Sequence, residues 1–293
     1  MPPVSEKCRI LITGSEGFIG TALKRALTEE GYEVHGLDCI VSGGSQVMKA
    51  DLLDLAQTCK AIRACVPFSV LIHTAALAHG RPANPGDSCF RINTEMTKNV
   101  LRAVAELDIR FVFLSSVAVY GEDQRTAPVS TDAELHPSTD YGRSKLYCER
   151  QILESGISHC DILRLAPVYD KSHMKDVRKR VYLPGPFRAK LRFWPSPHYS
   201  LCNIETVTRH VTQLLRQPPC GHVIQNIADP RPYSQNELLS WFSGRSIPLP
   251  TFIFKPLYCA MSLLPGKIRY PCRCVYWKLF KSNVYQTYPE SKC

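Results

Sequence analysis

The chain has 293 residues, of which 44% are hydrophobic and 21% are charged, and its formal net charge at pH 7 is +10. This composition is that of an ordinary soluble globular protein, with room for one large domain or two modest ones. Its 13 cysteines form neither a C-x-x-C pair nor a Cys/His cluster at metal spacing, which argues against a zinc site and against a disulfide framework.

The positive charge is concentrated in the second half of the chain. Residues 1–150 carry 16 Lys and Arg against 18 Asp and Glu, whereas residues 151–293 carry 20 against 8. A basic half of this kind fits a solvated face, an anionic substrate such as a nucleotide diphosphate, or an anionic membrane surface. No aromatic-basic interleaving or helix-turn-helix pattern points to nucleic acid.

The N-terminal segment "MPPVSEKCRI" lacks the apolar stretch of a signal peptide. Together with the scattered cysteines, this predicts free thiols and a cytoplasmic location.

Strand-like and helix-like segments alternate along the first half of the chain. Apolar runs are found at 9–13, 33–37, 69–73, 111–115 and 160–165, and helical patterns near 18–30, 54–65, 92–107 and 140–155. This alternation predicts an α/β fold, with a parallel sheet covered by helices on both faces. After Pro167 the pattern breaks into short pieces, which predicts a dinucleotide-binding domain at 1–168 and a smaller region at 169–293, partly interleaved with the sheet edge.

The first strand is followed by the glycine pattern "GSEGFIG", with Gly14, Gly17 and Gly20 at G-x-x-G-x-x-G spacing. Glycines at a strand-to-helix turn permit left-handed backbone angles and close approach of another group. The helix that follows begins with unpaired amides, so this turn is a candidate site for a diphosphate. The pattern is weak alone and depends on its neighbours.

Asp38 ends the second strand, about 20 residues after the glycine turn. A carboxylate at this place can accept both ribose hydroxyls of an adenosine and repels a 2′-phosphate, so NAD is favoured over NADP. Asp51 is a candidate neighbour of the adenine amino group, and the small residues Ala75 and Ala76 let a dinucleotide lie against the backbone. His73, just before them, is better explained as a buried, hydrogen-bonded histidine than as a catalyst.

The strongest pattern begins at "FVFLSSVAVYG", a buried strand that ends in Ser115 and Ser116. In "TDYGRSKLYCE", Tyr141 and Lys145 are four residues apart, so their side chains share one helix face. A phenol titrates near pH ~10 and needs a nearby cation to act as a base at neutral pH. Lys145 supplies that cation, and Ser116 is placed to hydrogen-bond a reacting hydroxyl.

These motifs, in this order, resemble the extended short-chain dehydrogenase/reductase superfamily, in its NAD-dependent sugar-nucleotide epimerase/dehydratase branch. The resemblance covers about the first 170 residues. It implies a Rossmann-type doubly wound sheet with a smaller C-terminal substrate domain, bound NAD, and Ser116, Tyr141 and Lys145 as the catalytic trio. It also implies that the cofactor-binding residues are Gly14, Gly17, Phe18, Ile19, Gly20, Asp38, Asp51, Leu52, Ala75, Ala76, Asn93, Ser115, Tyr141 and Lys145, with no metal.

Several positions depart from the family pattern. Val117 and Ala118 stand where the dehydratases carry an acidic pair, which disfavours dehydration and decarboxylation. Pro167 replaces the Asn typical of epimerases, and Tyr199 stands where a diphosphate-binding Arg is expected. The candidate substitutes in the basic half are Arg188, Lys190, Arg192, Arg269 and Arg273.

The segment from Ile247 to Lys281 is apolar but interrupted by prolines and Lys255, which argues against a membrane-spanning helix. A terminal segment packed into the core is favoured. Contact with an anionic membrane surface is the less favoured alternative, suggested by cations at Lys267, Arg269, Arg273, Lys278 and Lys281.

We therefore predict a nucleotide-sugar C4 epimerase in which Tyr141 takes the 4-hydroxyl proton while NAD receives and then returns the C4 hydride. A 4-keto-sugar reductase that consumes NAD(P)H is the alternative within the same fold. A redox-silent dinucleotide-binding protein is the alternative of another class, although it has no need of the catalytic trio. The resemblance further implies a homodimer that pairs through the helices near 92–107 and 140–155.

Overall fold

The computed structural model describes residues 8–41, 46–78, 88–121, 128–183, 189–263, 265, 272, 276–277 and 279–287. Its strands are β1 (Arg9–Thr13), β2 (Glu33–Asp38), β3 (Val47–Lys49), β4 (Val70–His73), β5 (Arg110–Ser116), β6 (His159–Leu165), β7 (Val168–Tyr169), β8 (Leu191–Trp194), β9 (His198–Tyr199), β10 (Cys202–Asn203), β11 (His222–Ile227), β12 (Tyr233–Ser234) and β13 (Ile247–Pro250). Its α-helices are α1 (Phe18–Glu29), α2 (Leu55–Cys65), α3 (Cys89–Val104), α4 (Asp140–Leu153), α5 (Lys175–Val181), α6 (Ile204–Arg216), α7 (Gln235–Ser240) and α8 (Lys255–Ala260).

A seven-stranded parallel sheet with the order β11-β6-β5-β4-β1-β2-β3 forms the centre of the fold. The strand order reverses direction between β1 and β4, which are paired in register from Ile10–Val70 to Thr13–His73. This is the doubly wound Rossmann-type arrangement, so the predicted fold class is confirmed. In such sheets, ligands bind beyond the carboxyl ends of the strands at the reversal point.

Helices cover both faces of the sheet, and the strands are apolar on both sides for that reason. Helix α1 packs with α6, while α3 packs between α2 and α4. Leu11, Leu71 and Phe111, from three neighbouring strands, are fully buried with Ile62 of α2 and Val100 of α3 in one cluster.

Local capping explains where three of these helices begin. Asp54 accepts a hydrogen bond from the backbone of Gln57 before α2, and Thr139 accepts one from Gly142 before α4. Ser88 does the same for Arg91 before α3. Each cap satisfies an amide that the first helical turn leaves unpaired, and Thr139 thereby fixes the start of the helix that carries Tyr141 and Lys145.

The chain divides into two compact units by its internal contacts. The first unit comprises residues 1–121, 137–165 and 204–225, and the second comprises 122–136, 166–203 and 226–293. Relative to the predicted boundary at residue 168, the first unit runs to Leu165 and includes 204–225 as well. In the second unit, the short strand pairs β7–β10 and β9–β12 contribute to a small core that includes Val177, Tyr199 and Leu238, while β8 of the pair β8–β13 belongs to a separate cluster.

The described part of the C-terminal segment contributes to the core, as predicted, through some of its residues. Tyr276, Trp277 and Leu279 are buried, but Phe252 and Ile253 are exposed. No helix within the described part of the chain combines the length and apolar character needed to cross a bilayer. The predicted cations Lys267, Arg269, Arg273 and Lys278 lie outside the described residues.

Candidate active site

The glycine turn is closed tightly against the segment that follows β4. Gly14 has a φ of +71°, and its amide donates a hydrogen bond to Leu37 O at 2.8 Å. A Cβ at Gly14 would lie 2.6 Å from both the N and the Cα of Ala75. The backbone angle and the missing space both require glycine here, at the point where β1 and β4 end side by side.

The start of α1 is suited to an anion. Its N-cap is Gly17, which has no side chain to cap the helix, and Phe18 and Ile19 form the first turn. Ser15, between the first two glycines, is fully buried, and its hydroxyl has no hydrogen-bond partner among the described residues. The Ser15 hydroxyl packs against β2, because a Cβ at Gly36 would lie 2.4 Å from its oxygen. The uncapped N-terminus of α1 is the part of this turn that suits a diphosphate, which accepts hydrogen bonds from backbone amides.

Asp38 lies directly beside this turn. Its Oδ2 accepts a hydrogen bond from Glu16 N at 2.9 Å, and its Oδ1 accepts one from Ile40 N at 3.1 Å. These bonds fix the carboxylate at the end of β2 while each oxygen keeps a lone pair for a further donor. The geometry therefore suits a carboxylate that accepts ribose hydroxyls.

The segment after β3 is aligned with Asp38 by backbone hydrogen bonds. Ala50 N donates to Asp38 O at 3.0 Å, and the side chain of Asn99 on α3 donates to Leu52 O at 2.9 Å. The Asp51 carboxylate is exposed and accepts from Leu53 N at 2.9 Å. Asp51 and Leu52 are thus held at the same sheet edge as the glycine turn, and their contact with adenine stays a prediction.

His73 is a structural residue in this site, as the sequence indicates. It is fully buried, with Nδ1 2.6 Å from Thr13 Oγ1 and Nε2 3.1 Å from Thr97 Oγ1. Burial and the nearby Lys145 charge lower its pKa from 6.5 to about 3. Next to it, Thr74 ties the backbone before Ala75 to Thr13 O at 2.7 Å, so Ala75 and Ala76 leave β4 against the glycine turn.

Acid should destabilise the fold through His73. Its folded-state pKa lies below the value of 6.5 for a free histidine, so the stability it contributes is present above that value and lost as the pH falls toward 3. Between about pH 7 and pH 5, we expect this residue to account for a loss of about 2 kcal/mol. Chemical denaturation of the wild type and of His73→Gln at both pH values measures this, and equal pH dependence in the two proteins would contradict it.

The predicted catalytic residues lie at the end of β5 and on α4, which pack against each other. Ser116 caps the short 3-10 helix at 117–120, accepting from Ala118 N at 3.2 Å. A Cβ at Gly142 would lie 2.5 Å from Ala118 O, so only glycine lets α4 approach this turn so closely. Tyr141 is the neighbour of Gly142, and the Lys145 Nζ lies 6.0 Å from the centre of the Tyr141 ring.

Lys145 is a buried cation. Its Nζ donates to Leu114 O at 2.8 Å and lies 4.5 Å from the centre of the Phe113 ring. Burial lowers its pKa from 10.5 to about 8, although Cys148 and Glu149 act in the opposite direction. The side chain is therefore largely protonated at neutral pH, and its charge favours the phenolate form of a tyrosine nearby.

A buried network that the sequence analysis did not identify lies behind this trio. The Ser115 hydroxyl donates to Glu149 Oε1 at 2.5 Å, and Glu149 pairs with Arg164 of β6 at 2.8 Å. Arg164 also donates to the Tyr120 hydroxyl at 3.0 Å. The spacing from Lys145 to Glu149 is again four residues, which is the signal that could have revealed it. The Ser115 hydroxyl thus donates within the protein, and its predicted contact with the cofactor stays a prediction.

Asn93 is likewise used by the protein. Its Oδ1 accepts from Leu77 N at 2.7 Å, and its Nδ2 donates to Ser144 Oγ at 2.9 Å. It therefore links the segment after Ala76 to the helix turn beside Lys145. The predicted direct contact with the cofactor stays a prediction, whereas a role in positioning these two segments follows from the hydrogen bonds.

The candidate cations of the basic half fall in different places. Lys190 donates to the carbonyls of Phe242 and Gly244, and Arg192 is exposed on β8. The predicted residues Arg188, Arg269 and Arg273 lie outside the described residues. Arg180, which the sequence analysis did not propose, is 8% exposed and forms no ion pair within the described part of the chain.

The Arg180 guanidinium has fewer hydrogen-bond partners among the described residues than it has donors. Its Nη1 donates to Asp176 O at 2.6 Å and its guanidinium lies 5.4 Å from the Tyr199 ring centre. Its Nε has no hydrogen-bond partner among the described residues. Because a buried charge without an anionic partner is costly, this guanidinium is a candidate for binding an anion.

Two curated relatives show what proteins this chain resembles in sequence. It is 28% identical over 160 residues to a UDP-glucose 4-epimerase of Streptomyces lividans, covering 52% of this chain and 48% of that protein. It is 32% identical over 154 residues to a D-erythronate dehydrogenase of Cupriavidus necator, covering 46% of this chain and 47% of that protein. The chain therefore spans about half the length of the curated relatives it matches.

Among solved structures, the enzyme WbmG of Bordetella bronchiseptica in complex with NAD is similar over 98% of this chain and 87% of that chain. The TM-score is 0.68 at 19% sequence identity, so the likeness shows a shared fold. The model of the NAD dependent epimerase/dehydratase family matches residues 10–182, which confirms the resemblance noted from the glycine turn and the tyrosine-lysine pair. The prediction of NAD as the cofactor is confirmed with it. The chain belongs to the NAD dependent epimerase/dehydratase family.

Proposed function

We propose that this protein is an NAD-dependent epimerase that inverts C4 of a nucleotide sugar. The observation that carries the proposal is the pairing of Tyr141 with the buried Lys145 ammonium, which is bound to Leu114 O of the strand that ends in Ser116. Its sequence similarity to UDP-glucose 4-epimerases supports the same reaction and a uridine diphosphate sugar as the substrate class.

Tyr141 is the proposed acid and base. Its phenolate oxygen takes the proton of the sugar 4-hydroxyl and later returns it, while Ser116 Oγ holds the reacting oxygen by a hydrogen bond. The positive charge of Lys145 stabilises the phenolate form of Tyr141, because its Nζ lies 6.0 Å from the centre of the Tyr141 ring. Val117 and Ala118 cannot exchange protons, so elimination of water is not supported.

The residues that would hold NAD are those of the glycine turn and Asp38. The uncapped start of α1 suits the diphosphate, and the Asp38 carboxylate suits the adenosine ribose. When bound there, NAD would supply reversible hydride transfer at C4 of the sugar.

Cofactor preference should depend on Asp38. We expect the wild type to bind NAD more tightly than NADP, because the carboxylate repels a 2′-phosphate, and Asp38→Ala to narrow that difference by about tenfold or more. Calorimetric titration of both proteins with both dinucleotides measures this. Equal affinities in the wild type would contradict the assignment of Asp38.

Within the second unit, Arg180 is the proposed contact for a phosphate anion. Replacing it with Met removes the buried charge, so we expect binding of uridine diphosphate to weaken by about tenfold or more while NAD binding is unchanged. Arg192→Met is the matched control, because that guanidinium is exposed. Equal nucleotide affinities in the wild type and Arg180→Met would reject this assignment.

An NAD(P)H-dependent reductase of a 4-keto sugar is the second candidate. Two observations favour it: Pro167 stands where epimerases carry an Asn, and one of the relatives similar in sequence is named a D-erythronate dehydrogenase. A reductase uses the same Tyr141 as a proton donor but must exchange its cofactor after every turnover.

The deciding experiment needs no added cofactor. Small molecules released from the denatured pure protein are identified by mass spectrometry, and the native protein is then incubated with uridine diphosphate sugars alone. Resident NAD and interconversion of a C4 pair establish the epimerase. An absolute requirement for NADH or NADPH with a 4-keto sugar establishes the reductase instead, and dinucleotide binding without turnover of any sugar establishes the redox-silent alternative.

A homodimer that pairs through α3 and α4 is part of this proposal. Tyr147 of α4 is 46% exposed and contacts Phe90 of α3, with ring centres 5.5 Å apart, so these helices offer an aromatic surface.

A further inference from the structure

Strands β8 and β13 form a parallel pair with one buried and one exposed side. Leu191 and Phe193 of β8 are buried with Leu279, so this side belongs to the core of the second unit. Arg192 and Trp194 alternate with them and are exposed. The register pairs Arg192 with Pro248 and Trp194 with Pro250, so these residues point to the same side.

The exposed side continues into the turn after β13. Thr251 donates a side-chain hydrogen bond to Trp194 O at 3.3 Å, which brings the start of the following 3-10 helix next to Trp194. Trp194 is 72% exposed, Phe252 59% and Ile253 44%. We call Arg192, Trp194, Pro248, Phe252 and Ile253 the β8–β13 face. Large apolar side chains this exposed, next to one another, mark an interaction surface.

The two segments that carry this face are basic in sequence. Residues 177–204 contain six Lys and Arg, and residues 238–289 contain seven, while neither segment contains an Asp or Glu. Arg192 lies on the face itself, and the exposed Arg245 lies two residues before β13. The partner of the face must therefore combine negative charge with an apolar interior.

We propose that the β8–β13 face docks on the surface of an anionic lipid bilayer. Trp and Phe side chains suit the boundary between headgroups and acyl chains, and arginines beside them suit anionic headgroups. A second copy of the chain is disfavoured as the occupant, because face-to-face pairing would bring the two sets of arginines together. The contact is peripheral, since the described helices include none able to span a bilayer.

Trp194 reports this contact directly. The chain has three tryptophans, and of these Trp194 is the strongly exposed one, while Trp277 is 9% exposed and Trp241 is half-buried. The probes are vesicles of phosphatidylcholine alone and vesicles of phosphatidylcholine and phosphatidylglycerol in equal amounts. We expect sedimentation with the anionic vesicles only, a blue shift of tryptophan emission on binding, and loss of that shift in Trp194→Phe.

Charge-reversal variants at two places distinguish binding through the β8–β13 face from a general effect of net charge. Arg192→Glu with Arg245→Glu should weaken partitioning into anionic vesicles by about tenfold or more. Lys60→Glu with Arg63→Glu, on exposed positions of α2, changes the net charge equally and should leave binding nearly unchanged. Trp194→Ser with Phe252→Ser should also weaken binding, with resident NAD and circular dichroism checking that the variant is folded.

Three results would overturn the proposal. The first is absence of binding to anionic vesicles, and the second is equal loss of binding in the α2 control. The third is a change of oligomeric state in lipid-free Trp194→Ser, Phe252→Ser, measured by sedimentation velocity, which would assign the face to a second copy. If Trp194→Ser with Phe252→Ser does not fold, the charge-reversal variants and the Trp194 emission still test whether the β8–β13 face binds the anionic bilayer.

Discussion

Replacing Tyr141 with Phe should lower the turnover number by about 10²–10⁴-fold, because it removes the only proposed proton acceptor and donor at the sugar hydroxyl. Resident NAD should remain, since the glycine turn and Asp38 are untouched. The aromatic ring keeps its packing near Lys145, so the unfolding free energy should change little.

The same helix offers a matched control. Tyr147→Phe removes a hydroxyl from an exposed position of α4 and should leave the turnover number within about twofold of the wild type. Both variants are compared by initial rates under saturating substrate. A near-normal rate for Tyr141→Phe would reject its role as acid and base, whether the enzyme is an epimerase or a reductase.

The pH dependence of the rate follows from Lys145. Its pKa of about 8 means that the ammonium loses its proton as the pH rises through that value. Its support for the Tyr141 phenolate disappears in the same range, although direct ionisation of the phenol works in the other direction. The Lys145 ammonium therefore contributes most to stabilising the Tyr141 phenolate near neutral pH.

The core of the fold could be predicted because its signals are local. The apolar runs at 9–13 and 160–165 became β1 and β6 within one residue, since parallel strands covered on both faces are apolar throughout. The glycine turn could also be predicted from the sequence, because the positive φ at Gly14 and its contact with Ala75 both require glycine.

What could not be predicted depends on contacts between distant residues. Strand β3 has only three residues, half-buried or exposed, so it carries no apolar run of its own. Strand β11 follows the irregular stretch after Pro167 and joins the sheet only through pairing beside β6. The hydrogen bonds from Leu77 N to Asn93 and from Ser115 to Glu149 could not be predicted either, because each joins residues far apart in the sequence.

The candidate anion-binding residue Arg180 could not be predicted from the sequence either. In the sequence it is one of three consecutive cations, Arg178, Lys179 and Arg180, and nothing local distinguishes it. Burial against Tyr199 separates it from its neighbours, and this depends on packing within the second unit.

Replacing Glu149 with Met should lower the unfolding free energy by about 3–5 kcal/mol. The change leaves the Arg164 guanidinium, 3% exposed, buried without its carboxylate. Adding Arg164→Met removes the stranded charge and should restore most of the stability. Glu237→Met is the control, because its partner Arg231 has a side chain 65% exposed and such pairs contribute about 0–1 kcal/mol.

The double variant also tests what the network does for catalysis. With Glu149 absent, the Ser115 hydroxyl loses its acceptor, and the end of β5 that carries Ser116 is held less firmly against α4. We therefore expect Glu149→Met, Arg164→Met to be folded and to retain NAD, yet to turn over about tenfold more slowly or worse, with KM nearly unchanged. Denaturant unfolding and steady-state kinetics on the same samples separate the two effects. Wild-type turnover in a stable double variant would mean that the buried pair serves only the fold, and that Ser116 is positioned by the turn at Ala118 and Gly142 alone.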